Sequence, residues 1–187
     1  MPVIDEELLA KLSAVQLEPV VREASEGEEK AFAKIQRLIS VRERCESELR
    51  ARLVRDGFAS EDAESALRRA VSCGLVDDLR YAGVLIRSRI AQGRGRSGIV
   101  AELERVGIDA SLVPGWPDEY FPEDAPSEIE RALELLRRKP SRSKDVRGAA
   151  FRRLMGKGYS QQVAYDAARR YAEEVSGFGS SPRSTYF

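Results

Sequence analysis

Apolar residues recur three or four positions apart along most of this chain, and no stretch alternates apolar and polar residues for long enough to make a strand. In AFAKIQRLIS the residues Phe32, Ile35, Leu38 and Ile39 share a helical stripe. In SEDAESALRRAVSCG, Ala63, Ala66, Leu67, Ala70 and Val71 turn inward behind Ser60 as a cap. Ile129, Ala132, Leu133 and Leu136 do the same in SEIERALELLRRK, and Val163, Ala167 and Tyr171 in SQQVAYDAARRYAEE. Each stretch predicts an amphipathic helix that needs neighbours to cover its stripe.

Between these helices one spacing appears three times: Leu49, Leu53, Gly57, Phe58; Ile99, Leu103, Gly107, Ile108; and Ala150, Leu154, Gly158, Tyr159. A helix stripe followed by glycine and a bulky apolar residue is the pattern of a helix ended by a left-handed glycine. Recurrence at about fifty residues signals a tandem repeat. The expected fold is all-α, with three tandem three-helix repeats forming an elongated, curved, solenoid-like array. Its divisions are an acidic, partly ordered leader (1–29), repeat 1 (30–75), repeat 2 with a shortened third helix (76–113), a proline-rich acidic connector (114–126), repeat 3 (127–175) and a flexible tail (176–187). The connector holds Pro114, Pro117, Pro122 and Pro126, which leaves room for no more than a short turn after Asp109.

Composition narrows the chemistry. The 187 residues include no histidine, which removes Ser-His-Asp and Cys-His catalysis and the usual general base near neutral pH. Cys45 and Cys73 lie far from any zinc spacing, and neither a metal nor another cofactor is expected. No apolar run approaches the roughly 18 residues that cross a bilayer, and the acidic start MPVIDEELLAKL lacks the form of a secretory signal, so the expected location is the cytoplasm. The zero net charge hides opposed blocks. Residues 1–29 hold eight acids and two bases and residues 109–130 seven acids and no base, whereas residues 131–158 hold ten bases and two acids.

GLVDDLRYAG, residues 74–83, sets two carboxylates before an apolar run. Asp77 suits a helix N-cap and Asp78 the positive end of the helix dipole; contact with a partner or a metal are the other readings, although adjacent helical residues point about 100° apart and would not converge on one ion. QGRGRSG, residues 92–98, resembles a phosphate-binding loop but follows a helix and lacks the terminal GK[ST], so a flexible interhelical connector is the better reading. Arg80, Arg87 and Arg94, seven apart, fall within about 40° on one helix face, flanked by Arg89 and Arg96. A second concentration, RRKPSRSKDVRGAAFRR, contributes Arg137, Arg138, Lys139, Arg142, Lys144, Arg147, Arg152 and Arg153 against the single acid Asp145. These are the candidate contacts to phosphate or to an acidic protein, set against the plain alternative of solvated helix faces.

Taken together, GLVDDLRYAG, the arginine-bearing helix after it, SGIVAELERVGID, and ESELRARLVRDGFASEDAESALRRAVSCG upstream resemble the RecX family of bacterial regulators of the RecA recombinase. The resemblance is strong over residues 31–109 and looser over 127–175. It places Asp77, Asp78, Tyr81 and Ala82 in the family's best-defined motif, and Gly98, Ile99, Leu103, Gly107 and Ile108 in the motif of the second helix. It implies a non-enzymatic protein that binds RecA and its filament on single-stranded DNA; nothing resembles a coiled-coil seam, and a monomer is expected. Such a protein inhibits filament extension, ATP hydrolysis and strand exchange, and so modulates recombination, repair and the SOS response. Weak direct contact with DNA is left open, and no membrane is expected. A stand-alone helical nucleic-acid-binding module is the competing reading.

Overall fold

The computed structural model describes residues 23–178, and every regular element among them is helical. The elements are α1 (Glu26–Ile39), α2 (Glu46–Arg55), α3 (Ser60–Ser72), α4 (Asp78–Ala91), α5 (Arg96–Arg105), a 3-10 turn (Ala110–Leu112), α6 (Glu128–Arg138), α7 (Val146–Gly156) and α8 (Gln161–Phe178). Most of the acidic leader and the end of the tail lie outside the described residues. The acidic run itself does not stop short of structure, because Ser25 caps α1 and Glu26, Glu28 and Glu29 form its first turn, where negative charge meets the positive end of the helix dipole. At the other end α8 continues through residues 176–178.

The repeated spacing has the local geometry it predicts. Gly57, Gly107 and Gly158 take φ of +87°, +85° and +79°. The residue after each donates its N–H to the carbonyl five positions back: Phe58 to Leu53, Ile108 to Leu103, Tyr159 to Leu154. These are Schellman ends, in which the bulky residue folds back over the stripe. Leu49, Leu53, Ile99, Leu103 and Leu154 have no exposed surface. Two details differ from the sequence pattern. Ala59, not Ser60, is the N-cap of α3, with no side-chain cap, and Val71 is 40% exposed rather than inward.

Burial divides into three apolar clusters. Ala31, Phe32, Ile35, Leu49, Leu53, Ala66 and Leu67 build the first; Tyr81, Ile86, Ile99, Leu103 and Val113 the second; Leu133, Leu136, Leu154, Tyr159, Ala167 and Tyr171 the third. Cys45, at the start of α2, belongs to the second cluster, so the first unit lends a residue to its neighbour's core.

The seams between units follow a rule not visible in the local sequence. Neither Cys45 before α2 nor Gly95 before α5 gives its helix a side-chain cap. The cap comes from the following unit. Asp78 Oδ1 accepts the N–H of Glu46 at 2.8 Å, and Glu128 Oε1 accepts the N–H of Arg96 at 2.8 Å, each across 32 residues. In both cases the first residue of one unit's leading helix satisfies an orphan donor on the previous unit's second helix. α7 instead carries its own cap, with Asp145 accepting from Gly148 N–H.

The second seam is also a backbone contact. Gly95 N–H donates to Lys157 O at 3.0 Å and Gly98 N–H to Gly158 O at 2.7 Å. A Cβ on Gly98 would stand 2.6 Å from Gly158 Cα. The QGRGRSG segment is therefore fastened in place rather than a flexible connector, and its glycines permit close approach of two chains.

The connector after the short turn is packed as well. Trp116, Tyr120 and Phe121 lie against the second cluster, with Trp116 and Phe121 edge to face at 5.7 Å between centroids. Aromatic rings fill the space that a third helix takes in units one and three.

Candidate functional site

The candidate basic residues separate by what already neutralises them. Arg80 donates to both carboxylate oxygens of Glu43 and to the carbonyls of Gly74 and Leu75, binding α4 to the loop before α2. Arg89 makes a two-point contact with Glu102 at 2.6 and 2.8 Å, joining α4 to α5. That hydrogen bond holds the Glu102 carboxyl below its usual range. Arg137 pairs with Glu174 of α8, and Arg138 with Glu134 one turn earlier. These four arginines present less net charge than their number suggests.

The predicted stripe of Arg80, Arg87 and Arg94 is two residues long, not three. α4 ends at Ala91 and Gly93 turns the chain at φ +69°, so Arg94 leaves the helix face. Arg87 and Arg96 instead turn to the connector: the Arg87 guanidinium carbon is 6.0 Å from the Tyr120 centroid, and that of Arg96 is 5.4 Å from Trp116. Arg131 joins them over Phe121 at 5.0 Å and donates to Arg94 O. This cluster adjoins a cleft of about 540 Å³ that Arg96, Phe121, Glu128 and Arg131 help to line. Glu123 and Glu128 also line that cleft, and Glu119 adjoins Arg87 in a neighbouring recess, so carboxylates of the acidic connector and of α6 stand beside these arginines.

The third unit differs. Lys139, Arg142 and Lys144 are exposed on the loop between α6 and α7, Arg147 is exposed in the first turn of α7, and no carboxylate of the described residues lies within ion-pair distance of any of them. Arg153 donates to Lys139 O and braces the loop from α7. Arg152 reaches Asp145 only at 3.7 Å. Lys139, Arg142, Lys144 and Arg147 thus place four bases without an ion pair within nine residues of chain.

The family-motif residues face inward. Asp77 accepts from the N–H groups of Leu79 and Arg80, as an N-cap does, while Asp78 caps α2 across the seam. Tyr81 is 8% exposed and Ala82 fully buried. The Tyr81 hydroxyl donates to Glu48 at 3.3 Å, and burial, with Glu48 beside it, pushes its pKa up to about 12. The sequence carries no signal for Glu128 and Arg131 as structural partners, because their contacts cross units, nor for the aromatic trio, whose irregular connector has no periodicity to show a buried face. Among the described residues no group of three or more Cys, Asp or Glu side chains could hold a metal ion, and no helix is long and apolar enough to cross a membrane.

These features define an all-helical protein of tandem three-helix units whose seams are closed by caps in trans and which carries four unpaired bases on and beside the loop between α6 and α7. The profile of the first three-helix domain of RecX matches residues 31–69, and that of the second matches residues 77–113. A regulatory protein RecX from Amycolatopsis mediterranei is 36% identical over 148 residues, covering 76% of this chain and 81% of that one. One from Mycolicibacterium vanbaalenii is 34% identical over 156 residues, covering 77% and 83%. The chain belongs to the RecX family. A crystal structure of regulatory protein RecX superposes with a TM-score of 0.60 at 22% identity, covering 90% of this chain and 79% of that one. RecX from Lactobacillus salivarius gives 0.57 at 15% identity, covering 79% and 98%. Both agree in fold.

Proposed function

We propose that this chain is a cytoplasmic, monomeric, non-enzymatic regulator that binds the RecA recombinase and its filament on single-stranded DNA. It inhibits filament extension, ATP hydrolysis and strand exchange, and thereby modulates recombination, repair and the SOS response. Membership of the RecX family is the observation that carries this reading. The distribution of charge supports a division of labour. Asp77, Asp78, Tyr81, Ala82, Gly57, Gly107 and Gly158 maintain the array, while Lys139, Arg142, Lys144, Arg147, Arg152 and Arg153 face acidic protein surface or phosphate. Arg87, Arg94 and Arg96 contribute a weaker contact, tempered by the acidic connector, and Arg80, Arg89, Arg137 and Arg138 contribute what their ion pairs leave free. A rigid row of units touching several filament subunits gains affinity from linked weak contacts, and bridging subunits restricts the movement that ATP turnover needs.

The test is RecA ATPase activity on single-stranded DNA with this protein added at substoichiometric amounts. Inhibition is expected, and an Arg142→Glu/Lys144→Glu variant of unchanged helicity should inhibit less. Full ATPase activity alongside tight binding to naked DNA would replace this reading with a nucleic-acid-binding module acting alone. That module reading draws its support from the same uncompensated loop, and a steep loss of DNA affinity with added salt would mark it.

A further inference from the structure

Beside its basic loop the third unit has an open notch between α7 and α8, about 350 Å³ in volume and lined by Asp145, Arg147, Gly148, Phe151, Tyr165 and Ala168. Tyr165 is 50% exposed, more than any other aromatic residue between residues 23 and 176. The Arg147 guanidinium carbon stands 4.7 Å from its ring centroid. A basic loop alone accounts for contact with phosphates. It does not account for a half-exposed ring at the edge of an apolar recess, with an unpaired guanidinium forming one wall.

We propose that this notch is a stacking site for one unpaired base of single-stranded nucleic acid, with Arg142, Lys144 and Arg147 on the flanking phosphates. The proposal rests on the reading of this unit as the anion-facing part of the array and adds the base to it. A stacking platform next to a cationic track is how proteins hold single strands without reading sequence. A duplex keeps its bases stacked within itself and offers the notch nothing but backbone. The complementarity is of charge, between phosphates and the uncompensated loop, and of shape, between a planar ring and an apolar recess.

The experiment measures binding of the full chain at low salt to a fluorescent oligothymidylate and to an abasic strand of equal length. The chain is expected to prefer thymidylate by about fivefold or more, the change that one stacked base supplies. Tyr165→Ala should erase that preference and Tyr165→Phe keep it. The ring is half exposed, so both variants should fold, which circular dichroism checks. Arg142→Glu/Lys144→Glu should weaken both strands alike and lower the salt dependence. Equal binding of the two strands, no binding of either, or a Tyr165→Ala chain that keeps the preference overturns the proposal. RecA ATPase assays on the same variants separate the two claims. A chain that prefers thymidylate but leaves ATPase untouched sinks the regulatory reading and not the notch. A Tyr165→Ala chain that binds thymidylate normally but no longer inhibits shows a protein-docking face and sinks the notch.

Discussion

Asp77 and Asp78 are neighbours in sequence with separate tasks. Asp77 satisfies the start of its own helix, whereas Asp78 satisfies α2 in the unit before. Removing either carboxylate should cost about 1 kcal/mol, a typical cap, and lower the melting temperature by a few degrees. The location of the damage distinguishes them. Asp78→Ala should speed hydrogen exchange at the Glu46 amide, and Asp77→Ala at Leu79 and Arg80. Protection of Glu46 unaltered in Asp78→Ala would show that the cap in trans contributes nothing. The N-cap role of Asp77 could be read in GLVDDLRYAG because a cap reaches two or three residues. The partner of Asp78 could not, since it stands 32 residues away. The same limit hid which arginines are neutralised: Glu43 is 37 residues from Arg80 and Glu174 is 37 from Arg137.

Between elements, two contacts give contrasting expectations. Gly98 has an ordinary helical position, where alanine would by propensity add up to about 1 kcal/mol of stability. Its Cβ would meet Gly158 Cα at 2.6 Å, and backbone on both sides cannot yield. Steric cost should win, so Gly98→Ala lowers stability by about 1–3 kcal/mol. Gly107→Ala meets open space and carries only the left-handed penalty of about 1–2 kcal/mol. A higher melting temperature for Gly98→Ala would mean the seam is not in close contact.

The Arg89–Glu102 pair joins α4 to α5 with side chains only 25% and 22% exposed. Because Arg89 lowers the Glu102 pKa in the folded chain, the pair stabilises above the usual carboxylate value of 4.5 and loses that contribution as pH falls through the lower folded value. Thermal scans should show stability dropping below about pH 4.5. Glu102→Gln should start about 1 kcal/mol less stable at neutral pH and show less of that acid loss. An identical acid profile in the variant would refute the assignment. At this scale the helix stripes and glycine ends were legible, being local. The four prolines ruled out a third helix in unit two, but nothing in them showed that three aromatic rings would replace it.

For the molecule as a whole, three small cores depend on two unlike seams. The first seam is made by side chains, including Asp78, Arg80 with Glu43, and Ser47 Oγ on Val106 O. The second adds two backbone hydrogen bonds and the arginine-aromatic cluster. Units of about fifty residues bury too little to stand far apart from their neighbours in stability, so unfolding should remain broadly coupled, with the first unit loosest. Trp116, the only tryptophan, reports on the stronger joint. Its fluorescence should change at higher urea than the first part of the helical circular dichroism signal. Coincident curves would make the seams equivalent. The repeat and its period were plain in the sequence; the inequality of the seams depends on backbone proximity between Gly98 and Gly158, and no periodicity carries that.

The self-supplied cap of α7 bears on how such a chain can grow. α2 and α5 each wait for a carboxylate from the next unit, and α7 does not. A duplicated middle unit would bring its own donor and acceptor and could be spliced between existing ones. Asp145 caps a later donor of α7, the Gly148 N–H, and not the first N–H that Asp78 and Glu128 satisfy in α2 and α5. The middle unit is thus the transferable module of the array: it gives one carboxylate to the unit before it and takes one from the unit after it.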